Sequence, residues 1–167
     1  MNIKKVLGMS FAGGCAFSSV VSCSPTNADV QEGNFEAELL QEVVQGGNLL
    51  EKFKEVTYSW ANSFADLFKE GGFNDSSKEC FVLQLDRAVK CRMLLEKLNY
   101  THSREINEID AELEVYIKSV LPKWFIELLE QYGTFDRTPE VCIPAEHREA
   151  FRFLVKEFNS VSEKYKL

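Results

Sequence analysis

Five cysteines, two histidines and one charged pair set in an apolar helix face are the side chains of this 167-residue chain from which a reactive or binding site could be built. Cys80 and Cys91 stand eleven residues apart on one predicted helix, roughly 16 Å along its axis. A disulfide needs Cα atoms within about 7 Å, so these two cannot bridge each other on a continuous helix. Cys142 falls in a predicted loop and could reach either of them. The chemistry would then be a structural disulfide in an oxidising compartment. Otherwise the three are reduced thiols, at least two of them buried as small apolar side chains. There is no C-x-x-C, and scattered cysteines beside a single histidine make no zinc pattern.

His102 opens a predicted helix within Thr101-His102-Ser103-Arg104-Glu105, and His147 stands one turn before Phe151. A base or a metal ligand needs partners on the same helix face. Neither histidine has the H-E-x-x-H or E-x-x-H spacing that supplies them. A helix-end histidine is the simpler reading of each. Arg92 and Glu96 are more informative. A helical wheel places both inside the apolar arc of their helix, beside Phe81 and Leu85, and their i, i+4 spacing lets them pair. As a surface feature they form a salt bridge with packed stems and wet heads. As a buried feature they mark a pocket or a partner groove, because buried charge is costly unless paired.

The acids Glu105, Glu108, Asp110, Glu112 and Glu114 lie on a predicted helix rather than on a Gly- and Asn-containing turn. That is a solvated face, not a calcium loop. Phe153 falls on the polar side of its helix, where it could seed a partner patch. Sequons occur at Asn74 and Asn99. The chain has no P-loop, G-x-G-x-x-G or G-x-S-x-G, and no defensible Ser/His/Asp set. No catalytic residue, metal or cofactor is implied.

The elements that must position these groups are helical. Residues 35–70 carry Leu49, Phe53, Val56, Trp60, Phe64 and Leu67 as a one-sided apolar stripe. Gly46-Gly47 separates a short helix at 35–45, and Gly71-Gly72 ends the segment. A second helix at 76–98 starts with a Ser76…Glu79 capping box and is lined by Phe81, Leu85, Ala88, Val89, Leu95 and Leu98. A third, at 102–132, carries Ile106, Ile109, Leu113, Ile117, Val120, Trp124 and Leu128. Pro122 inside it predicts a kink or a break. A fourth starts at Pro144 and runs toward Lys164 and Lys166, with an apolar face from Ala150 to Tyr165. No segment alternates like a strand. The expected fold is all-α: a single bundle of about four main helices with a small N-terminal helix.

Composition narrows the partners. With 19 Lys+Arg against 26 Asp+Glu the net charge is −7, and a pI near 5.0 excludes nucleic acid as the expected partner. Hydrophobic residues make up 45% of the chain, enough for a folded core of about 135 residues.

The N-terminus reads as an address. Lys4 and Lys5 precede an uncharged stretch from Val6 to Ser22, the layout of a secretory signal peptide. The stretch is too short and too polar for a transmembrane helix, which needs about 20 mostly apolar residues. It closes on Val20-Val21-Ser22-Cys23, which resembles the lipobox of bacterial lipoproteins. The resemblance covers residues 1–23 alone. It implies cleavage between Ser22 and Cys23 and acylation of Cys23, with chains such as palmitate as the attachment to a bacterial membrane. One acyl chain binds marginally and two or three bind stably. An earlier tetrapeptide, Ala12-Gly13-Gly14-Cys15, lacks the aliphatic residue. Plain cleavage after Thr26-Asn27-Ala28 would give a secreted or periplasmic protein instead.

The expected organisation is therefore a signal peptide at 1–22, a lipidated tether at 23–33 and a helical domain at 34–167. Loss of Lys4 and Lys5 with the signal moves the net charge from −7 to −9. An acidic domain is repelled by anionic lipid, which leaves the holding to the acyl chains. The expected role is an interaction module acting on a protein partner in the envelope. The alternative is a carrier with an apolar ligand in a cavity lined by Phe53, Phe64, Phe81 and Leu113.

Overall fold

A computed structural model describes residues 35, 37–41, 48–98, 104–135 and 137–166. Ser22, Cys23, the tether, Asn99 and His102 lie outside the described residues. Helix α1 spans Leu49–Asp66, α2 Asp75–Lys97, α3 Arg104–Val120, α4 Lys123–Tyr132 and α5 Arg148–Tyr165. Residues 35 and 37–41 are also helical, and the described residues include no strand. The all-α bundle is the fold.

Local chemistry sets the helix ends. Asn48 caps α1, its side-chain oxygen accepting from the backbone N–H of Leu50 at 3.1 Å and of Glu51 at 3.3 Å. The turn after α1 needs Gly72, where a Cβ would stand 1.9 Å from the Asp66 carbonyl oxygen. The cap of α2 is Asn74, not Ser76. Its Oδ1 accepts from the Ser77 N–H at 3.0 Å while its Nδ2 donates to the Gly71 carbonyl at 3.1 Å. The amide side chain two residues earlier outcompetes the Ser76…Glu79 box by serving the turn and the helix together.

Pro122 breaks the third predicted helix outright. Helix α3 ends at Val120, and Pro122 has extended ψ of 140° and caps α4. Having no N–H to donate back, it can start a helix but not continue one. Gly133 ends α4 at φ +82°, donating to the Leu129 carbonyl at 2.8 Å. Two single 3₁₀ turns, Glu140–Cys142 and Ala145–His147, follow Pro139 and Pro144 and lead into α5.

The side-chain contacts give the direction of each helix. Phe64 meets Phe81 with ring centroids 5.7 Å apart, and Phe53 lies beneath the Arg92 guanidinium at 5.5 Å. Going back eleven residues along α1 goes forward eleven along α2, so the two are antiparallel. Lys54 pairs with Glu112 at 2.6 Å and Tyr58 meets Tyr116 at 4.6 Å. Here both indices rise by four, so α1 and α3 are parallel. The first three helices run up, down and up, with α1 packed on both others.

The core is most aromatic near the α1–α2 turn. Phe64 has no exposed surface, and its ring is met by those of Trp60, Phe68, Phe81, Phe125, Phe135 and Phe158. These come from α1, the turn after it, α2, α4, the connection before α5, and α5 itself. Phe135 stacks on Phe158 at 4.7 Å and 11°, which plugs the connection into the core. Phe153, expected on a polar face, is half-buried against Phe73 at 5.8 Å and Phe81 at 5.9 Å. The loop carrying Phe73 covers a face that helical periodicity alone would leave open.

Candidate functional site

The apolar arc of α2 carries charge at two places. At the first, the Arg92 side chain is only 4% exposed. Its Nη1 donates to Asp110 Oδ1 on α3 at 2.7 Å. Its Nε stands 3.6 Å from Glu96 Oε1, one turn along α2. That separation is beyond a hydrogen bond, and both atoms are buried without another partner. Phe53 of α1 offers its ring face to the same guanidinium. Three helices therefore converge on one cation.

The predicted pair Arg92 and Glu96 is thus placed together, and Arg92 is buried rather than wet. The stronger partner is Asp110, which the sequence reading assigns to a solvated acidic face. That assignment holds for its neighbours. Glu105, Glu108 and Glu112 are exposed, Glu108 pairs with Arg104 at 2.7 Å and Glu112 with Lys54. Asp110 differs because it borders the apolar seam of α3. At 100° per residue it falls roughly 20° from Ile117, and this is the signal that could have separated it from the run.

At the second place, Asp86 is buried at 4% exposure. Lys164 donates to its Oδ1 at 3.1 Å, the Tyr165 hydroxyl donates to the same oxygen, and Lys90 stands 3.1 Å from Oδ2. Burial pushes the Asp86 carboxyl up. The Tyr165 hydrogen bond and the Lys90 and Lys164 charges outweigh it and hold the carboxyl below the ordinary value. The sequence reading missed this group. Asp86 is an acid beside Leu85, and nothing local announces partners 78 and 79 residues away.

Both clusters are ion-pair cross-links between helices. Arg92 faces carboxylates and no nucleophile, and Asp86 is held ionised by fixed donors.

The remaining candidates disperse. Cys80, Cys91 and Cys142 are free thiols, of which Cys91 is buried and the other two are exposed. The expectation of at least two buried thiols fails because Cys142 sits on a surface 3₁₀ turn and Cys80 on the outer side of the first turns of α2. The Cys142 thiol lies 3.6 Å from the Tyr132 hydroxyl, and this contact pushes the Tyr132 hydroxyl above its ordinary pKa. His147 stacks on Trp124 at 5.3 Å and 14° and meets the edge of Phe68 at 5.7 Å, a packing role at a helix end. Among the described residues no three His, Cys, Asp or Glu side chains are placed to hold a metal ion. No family model, curated protein or solved structure matches this chain.

Proposed function

We propose that the chain is exported, cleaved before Cys23, and held on a bacterial membrane by acyl chains on that cysteine, where its helical domain acts by binding another envelope protein. The observation that carries this reading is Val20-Val21-Ser22-Cys23 closing an uncharged run that begins after Lys4 and Lys5. Lipid modification requires the cysteine at the end of the inserted segment, and that is where it stands. Among the described residues no helix is long and apolar enough to cross a membrane, so they supply no competing helical anchor.

Two features favour binding through the surface over carriage of an apolar ligand. Phe53, Phe64, Phe81 and Leu113 are all buried, with at most 3% exposure. The Phe64 ring is surrounded by other rings where a ligand would have to lie. The charged residues of the α2 arc are engaged by their own neighbours. The mature domain would carry a net charge of −9 once Lys4 and Lys5 are removed from the chain's −7, which suits a basic protein partner and keeps the domain off anionic lipid.

The test is intact-mass analysis of the chain expressed in a bacterium, beside Cys23→Ala, with membrane fractionation. Loss of residues 1–22, a gain of acyl mass and sedimentation with membrane, all abolished in Cys23→Ala, is the expected result. Cleavage beyond Cys23 without lipid, or no cleavage, would overturn the assignment.

A further inference from the structure

We propose that the helical residues 35 and 37–41 are a clip, which pins the acylated N-terminus to the flank of α2 and limits how far from the lipid the domain can work. The limit on reach rests on acylation of Cys23; the clip itself does not. Phe35 is 3% exposed, and Leu39, one turn on, is 1% exposed. Residues at i and i+4 share a helix face, so these two side chains dock the helix, while the neighbouring Leu40 is left 51% exposed. A helix this short is marginal in water on its own. Its order comes from what it packs on.

That support includes α2. The Arg87 guanidinium stands over the Phe35 ring, 5.1 Å from its centroid. The Arg87 Nε is buried without a hydrogen-bond partner, which puts the contact out of water, where a cation–ring pair is strongest. Cys91, one turn further along the same side of α2, has no exposed surface. Among the described residues, the rings that meet Phe64 do not include Phe35. The clip can therefore let go while that ring cluster stays closed.

Docking moves the point at which the chain joins the folded domain. With the clip closed the join is Phe35, 12 residues from Cys23. With it open the join is Leu49, where α1 begins, 26 residues from Cys23. At no more than about 3.6 Å per residue, the greatest reach is about 43 Å closed and about 94 Å open. Two side chains and one cation–ring contact thus decide whether a partner must come within the shorter radius or can be met at the longer one.

The experiment takes the full chain from bacterial membranes in detergent and weighs it whole for acyl mass. Hydrogen exchange then reads the backbone amides of residues 37–41 and of α1–α5. In wild type, residues 37–41 should exchange at least about tenfold slower than an unstructured chain, yet faster than the middle of α1. Phe35→Ala/Leu39→Ala should abolish that protection and leave α1–α5 as in wild type. Leu40→Ala, at the exposed position, should change neither. The acylated proteins are then placed in vesicles, with a donor dye on the exposed thiols of Cys80 and Cys142 and an acceptor dye on the lipid headgroups. The double variant should lose energy transfer relative to wild type and to Leu40→Ala. Unprotected amides at 37–41 in wild type overturn the clip. So does a double variant whose α1–α5 amides also lose protection, because the segment is then inseparable from the fold. Protection lost with energy transfer unchanged overturns the limit on reach. A Cys23 without acyl mass overturns the lipid reading and the reach with it, and the mass alone reveals it whatever the exchange shows.

Discussion

Asp86 and Arg92 are the two buried charged side chains of α2. The folded Asp86 carboxyl is held below its ordinary value of 3.8 by Tyr165, Lys90 and Lys164 despite burial. A carboxyl depressed on folding contributes stability that is complete above the unfolded value and is lost as pH falls through the folded one. Asp86→Asn should therefore lower stability at pH 7 by about 1–3 kcal/mol. The gap to wild type should close as pH drops below 3.8. Urea unfolding of both proteins at pH 7 and near pH 3 checks this, and a gap that stays constant with pH would refute the linkage. The burial of Arg92 was legible from sequence because a wheel placed it within the apolar arc. Its bond to Asp110 was not, because one acid in a run of acids looks like its neighbours until the seam beside it is located.

Helix boundaries follow rules acting over a few residues, and most were readable. Pro122 announces an interruption because its ring and missing N–H act whatever the tertiary context. The Gly71-Gly72 pair announces the end of α1. The choice of Asn74 over Ser76 as the α2 cap was less accessible. It depends on the Gly71 carbonyl being brought within reach by a turn whose shape is set by Gly72. This gives a prediction for the α1–α2 connection. Gly72→Ala would place its Cβ 1.9 Å from the Asp66 carbonyl oxygen. The backbone must shift, at a cost of about 1–3 kcal/mol. Thermal unfolding should show a lowered midpoint for Gly72→Ala. Wild-type stability for this variant would mean that the turn does not need so close an approach.

The molecule as a whole is organised around one ring. Phe64 touches rings from α2, α4, the connection before α5, and α5, so one side chain joins all of them. Phe64→Ala should cost about 3–5 kcal/mol, a large part of the roughly 5–15 kcal/mol that stabilises a typical domain. Denaturant titration should show this loss together with a less cooperative transition. A loss under about 1 kcal/mol would mean that the rings close ranks without it. The all-α class was legible from periodicity alone. Which helices share a ring was not, because periodicity states which face is apolar and not what it meets.

The Asp86 cluster ties the middle of α2 to the last turn of α5, across 78 residues of chain. A ribosome delivers Asp86 long before it delivers Lys164 and Tyr165. Through that interval the α1–α2 hairpin can form from local contacts. It must then wait with an acid that has Lys90 alone for a partner and with an uncovered apolar face. The later helices cover that face, and the last turn of α5 brings Lys164 and Tyr165 to Asp86. A chain cut before Lys164 would keep most of its core yet leave Asp86 buried without the donors that α5 brings, which favours the opened states that holdases and proteases act on.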